Sequence, residues 1–190
     1  MNKIIWPLLL CAVLCGCGGG ETSNAVQEQY RTLETARLEA EVTSHTSTDS
    51  RTFTLLCSYD ADGDAVTTVT APGELAGLTA VVSGTDMTLS SEGLQLPAGA
   101  SLDICPANCL PYLLRALADG YVLEQSSEAL DDTPCLRLAL DTTAPGGGKV
   151  LCAVWLDAEG LFPRYAEFSR NEQVVLTVKL LAFTCTTSEG

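Results

Sequence analysis

The chain has 190 residues, with 24 Asp and Glu against 10 Lys and Arg, one His and nine Cys. That length sets one domain as the default, and a net charge of −14 with three lysines leaves no basic stripe to neutralise phosphates or hold an anionic lipid surface. Nucleic acid is excluded as a partner on that ground, whereas 46% hydrophobic against 18% charged residues put the chain among those that fold around a packed core.

The chain opens with one positive charge at Lys3, then an apolar run from Ile4 to Leu14 interrupted only by Pro7. Such a run is too short to span a bilayer but has the length of a signal-peptide core. It ends in Leu14-Cys15-Gly16-Cys17 followed by three glycines, which resembles the lipobox of bacterial lipoproteins. Residues 1–16 are then a lipoprotein signal peptide, Cys17 carries the lipid, residues 17–23 include a flexible tether, and 24–190 form a single domain. Ordinary secretory cleavage after a small residue is the alternative. Each buried methylene contributes about 0.8 kcal/mol, so palmitate-type acyl chains on Cys17 hold the protein to the membrane against its own negative charge. The expected location is the outer face of the cell membrane, or the outer membrane in a Gram-negative source.

The next segment carries a helical signal. Asn24 with Gln27 forms a capping box, and Val26, Tyr30, Leu33, Ala36 and Ala40 make an apolar stripe, so a helix is predicted over 25–40. From Glu41 the period becomes two. Residues 51–60 read as a strand with Phe53, Leu55, Cys57 and Tyr59 on one face, and Asp62-Gly63 closes a hairpin onto 65–70. Short strands are predicted at 78–83, 87–91 and 94–96, separated by Pro72-Gly73, Gly84-Thr85-Asp86 and Glu92-Gly93. A second helix is predicted over 110–118, where Leu110, Leu113, Leu114 and Leu117 share a face and Gly120 stops the run. Strands return at 121–126, 135–140, 150–156, 161–169 and 174–184. The fold class is α+β: a long antiparallel meander whose strongly curved sheet holds two helices on its concave side.

Six cysteines remain after processing: Cys57, Cys105, Cys109, Cys135, Cys152 and Cys185. An even number in an exported domain permits disulfides. Cys105 and Cys109 are nearest in sequence, and Cys135 and Cys152 face each other if their hairpin is centred on Ala144. Buried free thiols are the other reading. There is no CxxC pair and His45 lies far from any Cys, so neither a metal nor another cofactor is expected.

With this layout the chain resembles the LolA/LolB-like superfamily of lipoprotein carriers, and more closely its lipid-anchored Gram-positive relatives, the germination and sporulation lipoproteins. The match is carried by Tyr30-Arg31-Thr32-Leu33, the run Phe53 to Tyr59, Ala71-Pro72-Gly73-Glu74-Leu75-Ala76-Gly77-Leu78, and Val154 to Arg164. The resemblance implies an unclosed half-barrel with helices plugging its concave side over an apolar pocket that holds acyl chains in the carriers. Phe53, Leu55, Tyr59, Leu110, Leu113, Leu114 and Leu117 are core by default and would line such a pocket. Two departures stand out: six cysteines in the domain, and anchorage through Cys17 where the periplasmic carrier is soluble.

Other motifs read more simply. Asp60-Ala61-Asp62-Gly63-Asp64 lacks the Gly and Glu of a calcium loop, having Ala65 and Ala71 there, and is a hairpin turn. Asp131-Asp132 and Glu124 with Glu128 are solvated carboxylates, and His45 has no acid or thiol around it in a motif. GxSxG, HExxH, SxxK and P-loop patterns are absent, so no enzyme is expected. The expected function is a membrane-anchored lipoprotein that binds a lipid or lipoprotein acyl chains, or a non-enzymatic envelope accessory protein. The alternative is an interaction module for an envelope or spore-cortex protein, with no lipid ligand.

Overall fold

In the computed structural model, which describes residues 19–100, 103–144 and 146–188, one antiparallel sheet accounts for every strand. Helix α1 (Gly19–Arg31) leads into β1 (Leu33–His45), β2 (Ser50–Asp60), β3 (Ala65–Ala71), β4 (Thr79–Ser83), β5 (Asp86–Ser91) and β6 (Leu94–Ala100). Helix α2 (Cys109–Asp119) follows, then β7 (Tyr121–Leu130), β8 (Thr133–Thr143), β9 (Lys149–Asp157), β10 (Pro163–Arg170) and β11 (Gln173–Thr187). The eleven strands lie in the order β6-β5-β4-β3-β2-β1-β11-β10-β9-β8-β7, so two meanders are joined where β1 meets β11, and the sheet is not closed. This is the unclosed antiparallel sheet with two helices that the strand and helix pattern predicts.

The sheet is curved, and α2 shows by how much. The helix touches both β2 and β8, which stand five places apart in the strand order. At about 4.8 Å per step a flat sheet would separate them by about 24 Å, twice the width of a helix at about 10–12 Å. The sheet must therefore wrap around α2. Asn108 shapes the entry to that helix: its Oδ1 accepts the Cys105 N–H (2.9 Å) and its Nδ2 donates to the Asp103 carbonyl (2.9 Å). Gly120 ends the helix, its N–H bonded to the Ala116 carbonyl at 2.8 Å.

The first helix differs from its expected bounds. It runs from Gly19 to Arg31, taking in residues 19–23 expected as tether, and Leu33, Ala36 and Ala40 belong to β1 instead. The Thr32 hydroxyl donates to the Glu28 and Gln29 carbonyls (3.1 and 3.2 Å), satisfying acceptors that a longer helix would have used. Beyond it, Ala36, Leu38, Ala40 and Val42 alternate inward while Arg37, Glu39 and Glu41 face out, a two-residue period. Because β1 pairs on both sides, with β2 and with β11, ladder bonds and burial override the helix preference of its Ala and Glu. Helix α1 is fastened by Gln27 Nε2 to the Gly120 carbonyl (2.7 Å) and by the Tyr30 hydroxyl to the Leu161 carbonyl (3.0 Å).

The other elements fall close to their predicted places, most of them longer by a few residues. Side chains tie two of the turns: Asp60 Oδ1 accepts the Asp62 N–H (3.0 Å), and Asp157 Oδ1 accepts the N–H groups of Glu159 (3.0 Å) and Gly160 (2.9 Å). No described helix is long and apolar enough to cross a membrane. Cys17 and the signal peptide lie outside the described residues.

Candidate functional site: a filled concave core and an outer aromatic row

The concave side is where a ligand pocket was expected. Leu55, Leu110, Leu113, Leu114 and Leu117 are buried to within 2% of full enclosure, and they belong to a single cluster with Val26, Leu38, Leu138, Phe168 and Leu176. Phe53 and Tyr59 are partly buried against the same cluster. Tyr112 sits edge-on to Phe168 (ring centroids 5.8 Å apart) and its hydroxyl meets Thr142 Oγ1 at 2.6 Å, which pins α2 to β8 and β10. Side chains from helices and sheet thus interdigitate where acyl chains would have lain.

Clefts of about 460, 430, 280 and 270 Å³ open on the described surface. None of these four has Phe53, Leu55, Leu110, Leu113, Leu114 or Leu117 in its wall; Tyr59 borders the 280 Å³ cleft together with polar residues. The 430 Å³ cleft lies between α2 and the turn at Gly84, and is walled by Arg115, Asp119, Asp141 and Tyr121. The 460 Å³ cleft lies where Thr22 of α1 meets β7, β8 and the turn after β9. Both open to solvent and carry polar side chains.

The cysteines do not pair. All six of the domain are free thiols, so the bridges considered for Cys105 with Cys109 and for Cys135 with Cys152 are corrected. The β8–β9 hairpin turns about residue 146, with Thr143 opposite Lys149, which sets Cys135 opposite Asp157 and Cys152 opposite Leu140. A register displaced from Ala144 puts the two sulfurs on opposite faces of the sheet. Cys105 and Cys109 are joined instead through their backbones in the turn that starts α2 (3.0 Å). Burial pushes the Cys57 thiol up to about 11 and raises Cys109 and Cys152 as well, so these sulfurs stay protonated and unreactive at neutral pH.

His45 bonds Ser50 Oγ through Nδ1 (3.0 Å) and Thr177 Oγ1 through Nε2 (3.3 Å), hydroxyls on both sides and no carboxylate. Asp131 and Asp132 form the left-handed turn between β7 and β8. Among the described residues no group of three or more His, Cys, Asp and Glu is arranged to hold a metal ion.

The convex side carries an arrangement that sequence spacing did not single out. Register brings Ser126 of β7, Arg137 of β8, Trp155 of β9 and Tyr165 of β10 into one row. The Arg137 guanidinium lies 5.3 Å over the Trp155 ring, and Trp155 and Tyr165 rings are 5.4 Å apart. Trp155 Nε1 donates to Glu128 Oε2 (2.9 Å), Arg137 pairs with Glu124 (3.1 Å) and Glu128 (3.8 Å), and the Tyr165 hydroxyl donates to Glu167 (3.1 Å). Hydrogen bonds from Trp155 and Ser126, with Arg137 adding, hold the Glu128 carboxyl below its ordinary range. These residues come from four strands, β7 to β10, so only the register of the hairpins assembles them.

No protein-family model and no curated protein sequence matches the chain. Solved structures do. A DUF1329 family protein from Desulfovibrio piger is 12% identical, with a TM-score of 0.55 over 90% of this chain and 95% of its own. An uncharacterized conserved protein from Thermus thermophilus is 9% identical, with a TM-score of 0.52 over 89% of this chain and 88% of its own. A LolA superfamily protein from Nitrosomonas europaea is 12% identical, with a TM-score of 0.49 over 90% of this chain and 95% of its own. At these identities the likeness is one of fold.

Proposed function

We propose that this chain is a non-enzymatic lipoprotein of the bacterial envelope, anchored through acylated Cys17, that works as a protein-interaction module on the outer side of the membrane. One observation carries the choice against a lipid carrier: the leucines that would line an acyl pocket are fully enclosed by one another and by the sheet. A lipid would have to displace that packing, and opening it costs the stabilisation of each buried leucine, about 1.5–3 kcal/mol. The outer row supports the interaction reading, because Trp, Tyr and Arg are the side chains that most often dominate protein interfaces. The envelope location and the anchor rest on the lipobox. The architecture is compatible with both readings.

Purified chain carrying Cys17→Ala is incubated with a fluorescent fatty acid and its bound lipid is extracted. No saturable uptake and no co-purifying lipid is the expected result, while stoichiometric uptake would return the protein to the lipid-binding class. Labelled palmitate should enter the unaltered chain in its bacterial host and fail to enter Cys17→Ala.

A further inference from the structure

We infer that the free edge of β7 is the docking site, and that its occupant is an extended protein segment with basic residues at alternate positions, which adds to the sheet as a further strand. This rests on the interaction reading above. The two edges of the sheet are β6 and β7. They are not equally open. β6 contains Pro97, which has no N–H to offer a neighbour, and its pairing is irregular at Met87/Thr88 of β5. β7, with the sequence YVLEQSSEAL, has neither Pro nor a basic residue, and after one irregularity at Leu123 it pairs regularly with β8 from Glu124 to Leu130. Along that stretch there is neither Pro nor bulge; what guards the edge is the charge of Glu124 and Glu128, which a basic strand would turn into attraction, and α1, which packs against β7.

The chemistry of the occupant follows from what an added strand would meet. On the convex side its side chains would stand beside Glu124, Ser126 and Glu128, at about 4.5–5.5 Å between Cβ atoms. The Glu124 and Glu128 side chains are 64% and 42% exposed, and Arg137 is the one cation bonded to both. Two carboxylates against one guanidinium leave negative charge on the edge, within a chain of net charge −14. Lys or Arg two or four residues apart satisfies it. At the start of the strand Tyr121 and Leu123 are 73% and 55% exposed, a place for an apolar residue of the same segment. The concave side offers Gln125 and Ser127, and Gln125 Oε1 is buried without a hydrogen-bond partner.

A second copy of this chain does not fit. Pairing β7 with β7 about Ser126 sets Glu124 opposite Glu128, like charges face to face, and β6 brings no cation. The contact is strand addition, in which backbone bonds supply affinity and alternate side chains supply selectivity.

The test uses the full chain in mild detergent with a Thr-Lys repeat peptide as long as β7. Hydrogen exchange should slow at the amides of 124–130 on peptide addition, and Glu124→Gln with Glu128→Gln should weaken binding by about two- to thirtyfold, from two cross-strand charge pairs. A peptide of the same sequence with N-methylated backbone keeps every charge and should not bind. Equal binding of both peptides, or protection elsewhere than β7, overturns the inference. So does absence of binding by the Thr-Lys peptide in folded protein; the interaction reading is judged separately, by fatty-acid uptake, and survives that outcome.

Discussion

Replacing Leu113 by Ala measures whether the space under α2 is packed or hollow. Leu113 is 0% exposed within the cluster that also holds Leu110, Leu117 and Phe168. Truncation removes three carbons, about 2.4 kcal/mol of transfer free energy at about 0.8 kcal/mol each. In a packed interior the cavity left behind adds to this, and Leu→Ala changes in such cores cost about 2.7–5.0 kcal/mol. If Leu113 lined an existing pocket, only part of its surface would have lost neighbours, and the cost would fall to about 1.2 kcal/mol, half the transfer value. Thermal unfolding separates these cases. At about 2–4 °C per kcal/mol for a chain of this size, Leu113→Ala should melt about 5–20 °C below the unaltered protein. Benzene should raise the melting point of the variant, whose new cavity is apolar, and leave the unaltered protein where it was. A loss under about 1.5 kcal/mol, together with stabilisation of the unaltered protein by an apolar ligand, would refute the filled core.

Gly120→Ala should be among the most damaging single changes: an added Cβ would lie 2.4 Å from the Ala116 carbonyl oxygen and 3.2 Å from Leu140 Cβ. A loss of about 3 kcal/mol or more is expected by urea unfolding, against less than about 0.5 kcal/mol for Gly73→Ala, where nothing lies within 4 Å. The Asp157 carboxyl is held below its ordinary range first by the N–H groups of Gly160 and Glu159, with Arg164 adding. Its folded value being depressed, its contribution is present above the unfolded carboxyl range and is lost as pH falls through the folded value. Asp157→Asn should therefore lessen the acid dependence of unfolding below about pH 4, and an unchanged acid limb would contradict this. Native thiol alkylation should label Cys105 and Cys185, which are partly exposed, well before Cys57, Cys109, Cys135 and Cys152, which are buried. Simultaneous labelling of all six in the absence of denaturant would show a looser core.

Most strands and the second helix were legible because their patterns admitted one period. The run Phe53, Leu55, Cys57, Tyr59 alternates without ambiguity, and Leu110, Leu113, Leu114 and Leu117 match only a helix. Ala36 and Ala40 satisfied both periods, since residues four apart share a face in a helix and in a strand alike, and Leu33, three before Ala36, is buried with them across the irregularity between Leu33 and Thr35. They continue the stripe of Val26 and Tyr30 behind the capping box and so read as helix, while the chain places this segment between β2 and β11, where pairing on both sides outweighs the helix preference of its Ala and Glu. Arg37-Leu38-Glu39 was the distinguishing triplet, with the apolar residue between two outward charges.

The candidate site was less legible because it depends on register. Cys135 and Cys152 face each other only if the β8–β9 turn is centred near Ala144; moving that centre to residue 146 separates the cysteines and in the same step sets Arg137 opposite Trp155. The bridge considered from sequence and the row found on the outer face are therefore alternatives set by one hairpin. Gly147, in the left-handed region at φ 84°, provides the turn that selects between them, with Ala144 N–H bonded to the Gly148 carbonyl at 2.8 Å. A residue inserted before Gly147 would shift the pairing by one, reverse the facing of one strand relative to the other, and should separate Trp155 from both Arg137 and Glu128. Quenching and emission of Trp155 report that separation directly, and an insertion variant with an unaltered Trp155 spectrum would show that the row does not depend on this hairpin's register.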